Sequence, residues 1–435
     1  MPATLSTMAS LFKETYEAGV KNQLNSSRPM LKYFESLDTK DWTGLEHVVK
    51  VRVNRNRGVY FAAERGARPT AGQQRLESMR IPMRYLYGQI EVTKQLMEAS
   101  RSNESAVARG LRFEMDGLVD DLRIQSQFAL WQYGVGIRCL AQGTPGTDTR
   151  MEVDAPGGVA GATNGARFLN EGDQIVAIVP ATGALRAGGT REVTALATDG
   201  TYVDVDAAIN TAWADNDYII KAYGTDASIA VNNTDFNHLP MGMLGLVDDG
   251  TYNNSYFGLS RTSFPIMRST IISSVGALSG DVIMRGIHSV RSIGKGKVSM
   301  LWCEDSVLRA YITTTNDQRR YAGADLLTPN TGTAAAGQDA DESDSGLKFG
   351  RIPIHIDLDA PYGMLFGLDT RPFARYVMNP GSWVDDDGNT LFRSATLVDD
   401  FTADYRLWEQ FVNFQPNTSF RLEGISSNVV AIHRV

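Results

Sequence analysis

The chain has 435 residues, a formal net charge of −8, 43% hydrophobic and 21% charged side chains, 41 Gly and 15 Pro. That composition excludes collagen-like and wholly disordered classes, and a core rarely grows past roughly 250 to 300 residues, so two to four domains are expected. The acidic balance argues against the whole chain as a nucleic-acid binder, which presents a basic face. Taken in chain order, residues 1–40 read as a short amphipathic helix followed by an arm. Leu11, Phe12, Tyr16 and Val20 recur at helical spacing after Ser10 as N-cap, and Asn25-Ser26-Ser27-Arg28-Pro29 ends the run. An ordinary surface helix has the same pattern.

Residues 45–96 carry the strongest signal. Val49, Val51 and Val53 alternate with Lys50, Arg52 and Asn54, the period of a half-buried strand. Ile81, Met83, Tyr85 and Tyr87 make a second such face, and between the two lies a polar tip with Gly58, Gly66, Pro69 and Gly72. A two-stranded ribbon is marginal alone in water, so its apolar face is expected to lie on something. Residues 50–84 hold nine basic side chains (Lys50, Arg52, Arg55, Arg57, Arg65, Arg68, Arg75, Arg80 and Arg84) against Glu64 and Glu77, a surplus of seven positive charges. With the chain at −8, the remainder carries −15. A basic arm on an acidic body fits docking onto a neighbouring copy. A nucleic-acid-binding ribbon and a solvated surface hairpin are the rival readings.

Val107, Leu111, Met115, Leu118 and Leu122 fall on one stripe and predict a long helix over 103–133, capped by Ser102 or Asn103 and ended by Gly134 and Gly136. Residues 141–166, rich in Gly and Thr, read as loop. Strands are expected over 172–179, 192–198, 201–205 and 217–223, with Asp199-Gly200 as a two-residue hairpin turn. Together they predict a small barrel over 168–223 inserted into a larger domain. Residues 240–435 read as mixed: a helix over 277–293, strands over 298–303, 352–356, 363–368, 373–377, 405–414 and 418–432, a polar loop over 328–346 and a turn over 383–388.

No catalytic or metal-binding constellation emerges. His47, His238, His288, His355 and His433 are scattered, and His355 reads as a structural histidine in an apolar strand. Gly294-Lys295-Gly296-Lys297 lacks the Ser or Thr and the upstream Gly of a phosphate loop. Asp339, Asp341 and Ser343 start like a calcium loop, but Asp344 and Gly350 break the pattern. Asp385-Asp386-Asp387 reads as a solvated turn. Cys139 and Cys303 are far apart and fit a reducing compartment. The N-terminus has no apolar h-region and no propeptide is expected; no run of about 18 apolar residues is present, so no membrane span is expected.

In this order (arm, basic ribbon, long helix, mixed body, C-terminal strands) the chain resembles the major capsid protein of tailed bacteriophages, the Hong Kong phage-type capsid fold. Local sequence adds to the resemblance: Met243-Leu244-Gly245-Leu246-Val247-Asp248-Asp249-Gly250 looks like that family's Gly-Leu to Val-Asp-Asp connection. Residues 286–303 are similar to its helix-turn-strand, and residues 346–369 to its late strand pair. The resemblance implies an α+β fold with an N-terminal arm (1–44), an extended β-ribbon or E-loop (45–100) and a peripheral domain with the spine helix (101–167 and 224–260, receiving 405–416). It further implies an inserted β-barrel (168–223) and an axial domain (261–404 and 417–435). It also implies function: a non-enzymatic shell subunit, without cofactors, that assembles with itself into pentamers and hexamers of an icosahedral capsid around double-stranded DNA, without sequence-specific binding. The expected partners are a portal protein, a separate scaffolding protein and a decoration protein; the expected location is the virion, assembled in the host cytoplasm. The expected inter-subunit contacts are Arg52, Arg55, Arg57, Arg65, Arg68, Arg75, Arg80, Val51, Val53 and Tyr85. Some family members cross-link through an E-loop lysine, yet residues 54–80 contain no lysine. An encapsulin-like nanocompartment shell shares the fold and is the alternative, followed by a β-rich phage tail or adhesin protein.

Overall fold

Helical periodicity over 103–133 forms the longest helix, and the alternating segments before and after it form sheets. A computed structural model describes residues 28–37, 39–41, 44, 46–68, 70–93, 104–143, 148–209, 212–223, 230–322, 344–385, 392–393 and 400–427. The helix expected around Leu11 to Val20 lies outside them. Pro29–Glu35 forms α1, a helix the sequence did not announce; Pro at the first helical position has its φ preset. No local side chain caps α1. Instead Met30 N donates to Asp357 Oδ2 at 3.3 Å and Leu31 N to Gln127 Oε1 at 2.9 Å, so distant segments hold its N-terminus. Asp357 is almost fully buried, and its carboxyl is pushed up to about 7 by that burial, with Asp359 adding to the shift.

Strands β1 (Thr39–Asp41), β2 (Glu46–Asn54), β3 (Arg75–Pro82) and β4 (Arg84–Thr93) follow, then α2 (Glu104–Trp131). Met115 and Leu118 of α2 are half-buried and Leu122 is buried; the side chains of Val107 and Leu111 lie outside the described residues. Gly134 and Gly136 end the helix at φ of +91° and +85°, left-handed conformations that glycine adopts without strain.

Six strands close the barrel: β5 (Ile137–Ala141), β6 (Arg150–Asp154), β7 (Gln174–Ile178), β8 (Arg191–Leu196), β9 (Tyr202–Val205) and β10 (Tyr218–Lys221), in the order β10-β5-β6-β9-β8-β7. The span 168–223 is therefore too narrow. Part of the stretch read as loop supplies β6, which carries only Met151 and Val153 as inward apolar residues, too few to stand out in a Gly-rich context. The interior is a core of its own, with Cys139, Met151, Val153, Ile175, Val193, Val203, Trp213 and Ile219 buried. Because Ile220 pairs with Ile137 across β10 and β5, the barrel enters and leaves the body at adjacent points. Joining Gly136 to Ala222 by a short Gly-Ser linker is expected to preserve the remainder's cooperative unfolding. Cutting out 168–223 alone strands Met151 and Val153 in water and should give aggregated protein. Solubility and circular dichroism of the two variants check this; equal behaviour of both would refute the six-stranded unit.

The rest of the chain forms α3 (Met243–Leu246), β11 (Ser255–Tyr256), β12 (Leu259–Ser260), β13 (Thr270–Ile272), α4 (Gly280–Ile293), β14 (Met300–Cys303), α5 (Asp305–Ala322), β15 (Asp344–Phe349), β16 (Ile352–Ile356), β17 (Leu365–Leu368), β18 (Phe373–Trp383), β19 (Phe392–Arg393), β20 (Asp400–Asn413) and β21 (Phe420–Leu422). A mixed sheet β13-β21-β17-β14-β16-β15 packs against α4. A second sheet runs β1-β18-β20-β19, with β4 added to β20 in register from Arg84 opposite Glu409 to Thr93 opposite Asp400. Of the strand expected over 418–432, the described residues form β21 at Phe420–Leu422, and residues 428–432 lie outside them; α5 was not legible in the sequence. Residues 328–343 of the loop read over 328–346 and residues 386–388 of the turn read over 383–388 lie outside the described residues, while residues 344–346 belong to β15 rather than to a loop. Gly294 to Lys297 form the expected turn between α4 and β14, and His355 stacks on Trp302 with ring centroids 4.8 Å apart. A single core joins α1, the ribbon's root, the end of α2, α3 and both sheets through Met30, Phe34, Ile81, Trp131, Leu244, Trp302, Phe366 and Phe411. Among the described residues no helix is long and apolar enough to cross a membrane.

Candidate assembly interface

The ribbon is β2 paired antiparallel with β3, in register from Glu46 opposite Pro82 to Arg52 opposite Leu76, with one shift of register before Asn54 meets Arg75. Its burial alternates along β2 as the sequence predicts. Val49, Val51 and Val53 are half-buried and pack against the chain's own core, beside the fully buried Met79 and Ile81 of β3. Val51 and Val53, expected at a contact between subunits, therefore anchor the ribbon to its own body. The second face does not continue as expected either. Ile81 and Met83 are buried, whereas Tyr85 and Tyr87 are 49% and 58% exposed, because the chain leaves β3 at Met83 and enters the other sheet as β4. Tyr85 meets Trp408 edge-on at 5.2 Å and Tyr87 meets it at 6.2 Å, an aromatic cluster on the sheet's outer face.

Beyond Asn54 and Arg75 the tip has its own closure. Asn56 accepts the Gly58 N–H at 2.7 Å and donates to the Gly72 carbonyl at 2.9 Å; Tyr60 donates to the Ala67 carbonyl. The two sides approach so closely that a Cβ on Gly58 would lie 2.8 Å from Gly72 N, which only glycine tolerates. The closed tip projects Val59 and Phe61, 82% and 106% exposed, with Tyr60 at 49%. The sequence reading missed these three. The signal was there: consecutive apolar and aromatic residues in an otherwise polar, glycine-punctuated segment.

The basic residues divide into two groups. Arg75 bonds Glu77 at 2.9 Å and lies 5.2 Å from the Phe264 ring centre; Arg80 bonds Glu46 at 3.1 Å. Arg52 bonds the Asn54 carbonyl at 3.4 Å. Arg55, Arg57, Arg65 and Arg68 are exposed and have no side-chain hydrogen bond or ion pair among the described residues. The tip thus offers four unpaired guanidiniums around an exposed apolar knob. Guanidiniums fork onto carboxylates and the knob gains from leaving water. Cys139 and Cys303 are buried and their thiols are pushed up by that burial, far from thiolate character.

No family model and no curated protein matches the chain. Among solved structures, the capsid asymmetric unit of cyanophage A-1(L) aligns over 97% of this chain and 99% of its own, at 14% identity and a TM-score of 0.56. The fold is that of a tailed-phage capsid subunit. The capsid of a native GTA particle aligns over 98% of this chain and 99% of its own, at 9% identity and a TM-score of 0.48. The SrpI encapsulin of Synechococcus elongatus aligns over the full length of both chains, at 8% identity and a TM-score of 0.47. The capsid fold here comprises an E-loop ribbon, a spine helix and two mixed sheets, and it carries a closed six-stranded barrel between the spine helix and α3.

Proposed function

We propose that the chain is the major capsid protein of a tailed bacteriophage, a non-enzymatic subunit that assembles into pentamers and hexamers of an icosahedral shell around double-stranded DNA. The observation that carries this reading is the projecting ribbon tip, which exposes Phe61, Val59 and four unpaired arginines that its own subunit does not cover. The chain has a surplus of negative charge outside the ribbon, so a second copy offers the complementary surface. Tip to body is a heterologous contact, and repeated around an axis it closes into a ring. We assign the ribbon to the E-loop, α2 and the β18-β20-β4 sheet to the peripheral domain, and the β13-to-β15 sheet with α4 to the axial domain; the barrel is an insertion. A portal protein, a separate scaffolding protein and a decoration protein are the proposed partners, and the virion, assembled in host cytoplasm, the proposed location. Negative-stain microscopy of the purified chain tests the reading. Closed shells are expected, and monomers or fibres would overturn it; shells that package a protein cargo and no DNA during infection would favour a nanocompartment.

The mature shell is expected to hold without covalent links. A family-type cross-link needs a lysine amine at the tip, and residues 54–80 offer only arginines, whose guanidiniums stay protonated and are poor nucleophiles. The buried cysteines supply no alternative. Shells boiled in detergent with reductant should run as one band near 47.6 kDa; a ladder of multimers would contradict this.

A further inference from the structure

A cavity of about 420 Å³ opens beside the ribbon's root, where β3 passes into β4, against the turn after α2. Arg80, Arg84, Tyr133, Asn237 and Asn253 supply polar or charged groups to its wall, and no carboxylate lines it among the described residues. The two arginines differ. Arg80 is paired with Glu46. Arg84 has its Nε buried without a partner, and no hydrogen bond or ion pair holds its side chain among the described residues. Glu409, directly across the ladder from Arg84, bonds Arg375 at 2.8 Å instead. Burial lowers the Arg84 guanidinium from its ordinary range, with no nearby charge to offset it.

Arg84 is half-buried with its Nε shielded from water, and a partly desolvated cation without a counter-charge is unfavourable. A carboxylate entering the cavity would remove that penalty and meet a planar fork of donors. The described body of the chain presents none there. We infer that this cavity receives an aspartate or glutamate side chain from a second copy of this chain. The choice of occupant rests on the assembly reading above and on two facts. The cavity is continuous with the ribbon that carries the proposed contact, and the chain outside residues 50–84 holds an excess of acidic side chains.

The test uses Arg84→Gln in the full chain, with sodium glutarate as the probe for an acidic side chain. Glutarate is expected to raise the melting temperature of unassembled wild-type subunits and to leave R84Q unmoved. Without glutarate, unassembled R84Q should melt no lower than wild type, since an unpaired, partly desolvated charge has gone. R84Q shells should then dissociate at lower denaturant, with the ratio of assembled to free subunit reduced about tenfold or more, the effect of roughly 1.4 kcal/mol. A lower melting temperature for R84Q subunits overturns the inference by revealing a partner within the chain. Glutarate acting on both proteins or on neither also overturns it, the cavity then holding water only. Glutarate binding combined with R84Q shells as resistant as wild type overturns the occupant while the assembly reading stands. A wild-type chain that makes no assembly defeats the assembly reading and the second-copy occupant together.

Discussion

Replacing residues 55–74 by an Asn-Gly turn is expected to leave a folded subunit that forms no closed shells. Asn54 and Arg75 face each other across the ribbon, so a two-residue turn can join them without disturbing the register. The cut spares Val49, Val51, Val53, Met79 and Ile81, which belong to the core, and removes Val59, Phe61 and the four unpaired arginines. The subunit should therefore melt within a few degrees of wild type, because surface changes away from core features usually stay within about 0.5 kcal/mol. Assembly responds differently. Each lost tip weakens every contact around a ring, and a loss of about 1.4 kcal/mol per contact is tenfold in each step. Size-exclusion chromatography and microscopy should show capsomer-sized or smaller species. Shells at normal yield would remove the tip from the assembly interface. Changing Arg55, Arg57, Arg65 and Arg68 to Gln separates the two components: surface pairs contribute only about 0 to 1 kcal/mol each, so this variant should assemble weakly and with reduced salt dependence.

Asp248→Asn is expected to be among the most destabilising single changes in the chain. Asp248, Arg261 and Arg421 are each fully buried. One carboxylate oxygen accepts Arg261 at 2.7 Å and the N–H groups of Gly250, Tyr252 and Asn253 at 3.0 to 3.2 Å; the other accepts Arg421 at 3.2 Å. Arg421 also reaches Glu423 at 2.6 Å and the carbonyls of Leu244 and Val247, while Arg261 reaches the Gly245 carbonyl at 2.6 Å. The hub thereby ties α3 and the turn after it to β21 of the mixed sheet. Asparagine keeps the shape but leaves two buried guanidiniums with one carboxylate between them. Breaking a buried pair in this way costs about 3 to 5 kcal/mol, a large part of the 5 to 15 kcal/mol typical of a folded domain. Asp249→Asn is the control: Asp249 accepts from Thr251 N and Oγ1 at 3.1 and 2.7 Å in a local turn, contacts that an asparagine oxygen can also make. Urea unfolding of the two variants checks the contrast, and similar midpoints would remove the hub from the list of major stabilising features.

Which of the two adjacent aspartates matters cannot be read along the chain, since the pair looks symmetrical in Val247-Asp248-Asp249-Gly250. The choice is made by Arg421, 173 residues away, arriving on β21. The same division holds elsewhere. Periodicity alone determined the ribbon's β2, the spine helix and α4, because in those segments one face is buried and the other wet, and the spacing of side chains records it; β14, buried at Leu301, Trp302 and Cys303, showed as a short apolar run instead. Charge alone showed that the ribbon is basic and the remainder acidic. The break at Met83 was not legible: Ile81, Met83, Tyr85 and Tyr87 keep a period of two without interruption. Only the docking of β4 onto β20 turns the last two outward against Trp408. The barrel's first two strands were hidden for a related reason. β5 is buried along nearly its whole length and does not alternate, and β6 has two inward residues; a closed barrel needs only pairing partners at both edges, which Tyr218–Lys221 and Tyr202–Val205 supply from far along the chain. Unpaired charge is likewise a tertiary property. The sequence holds Arg84 among nine similar basic residues, and only the folded chain distinguishes it, by shielding its Nε beside a cavity while Glu409 turns to Arg375.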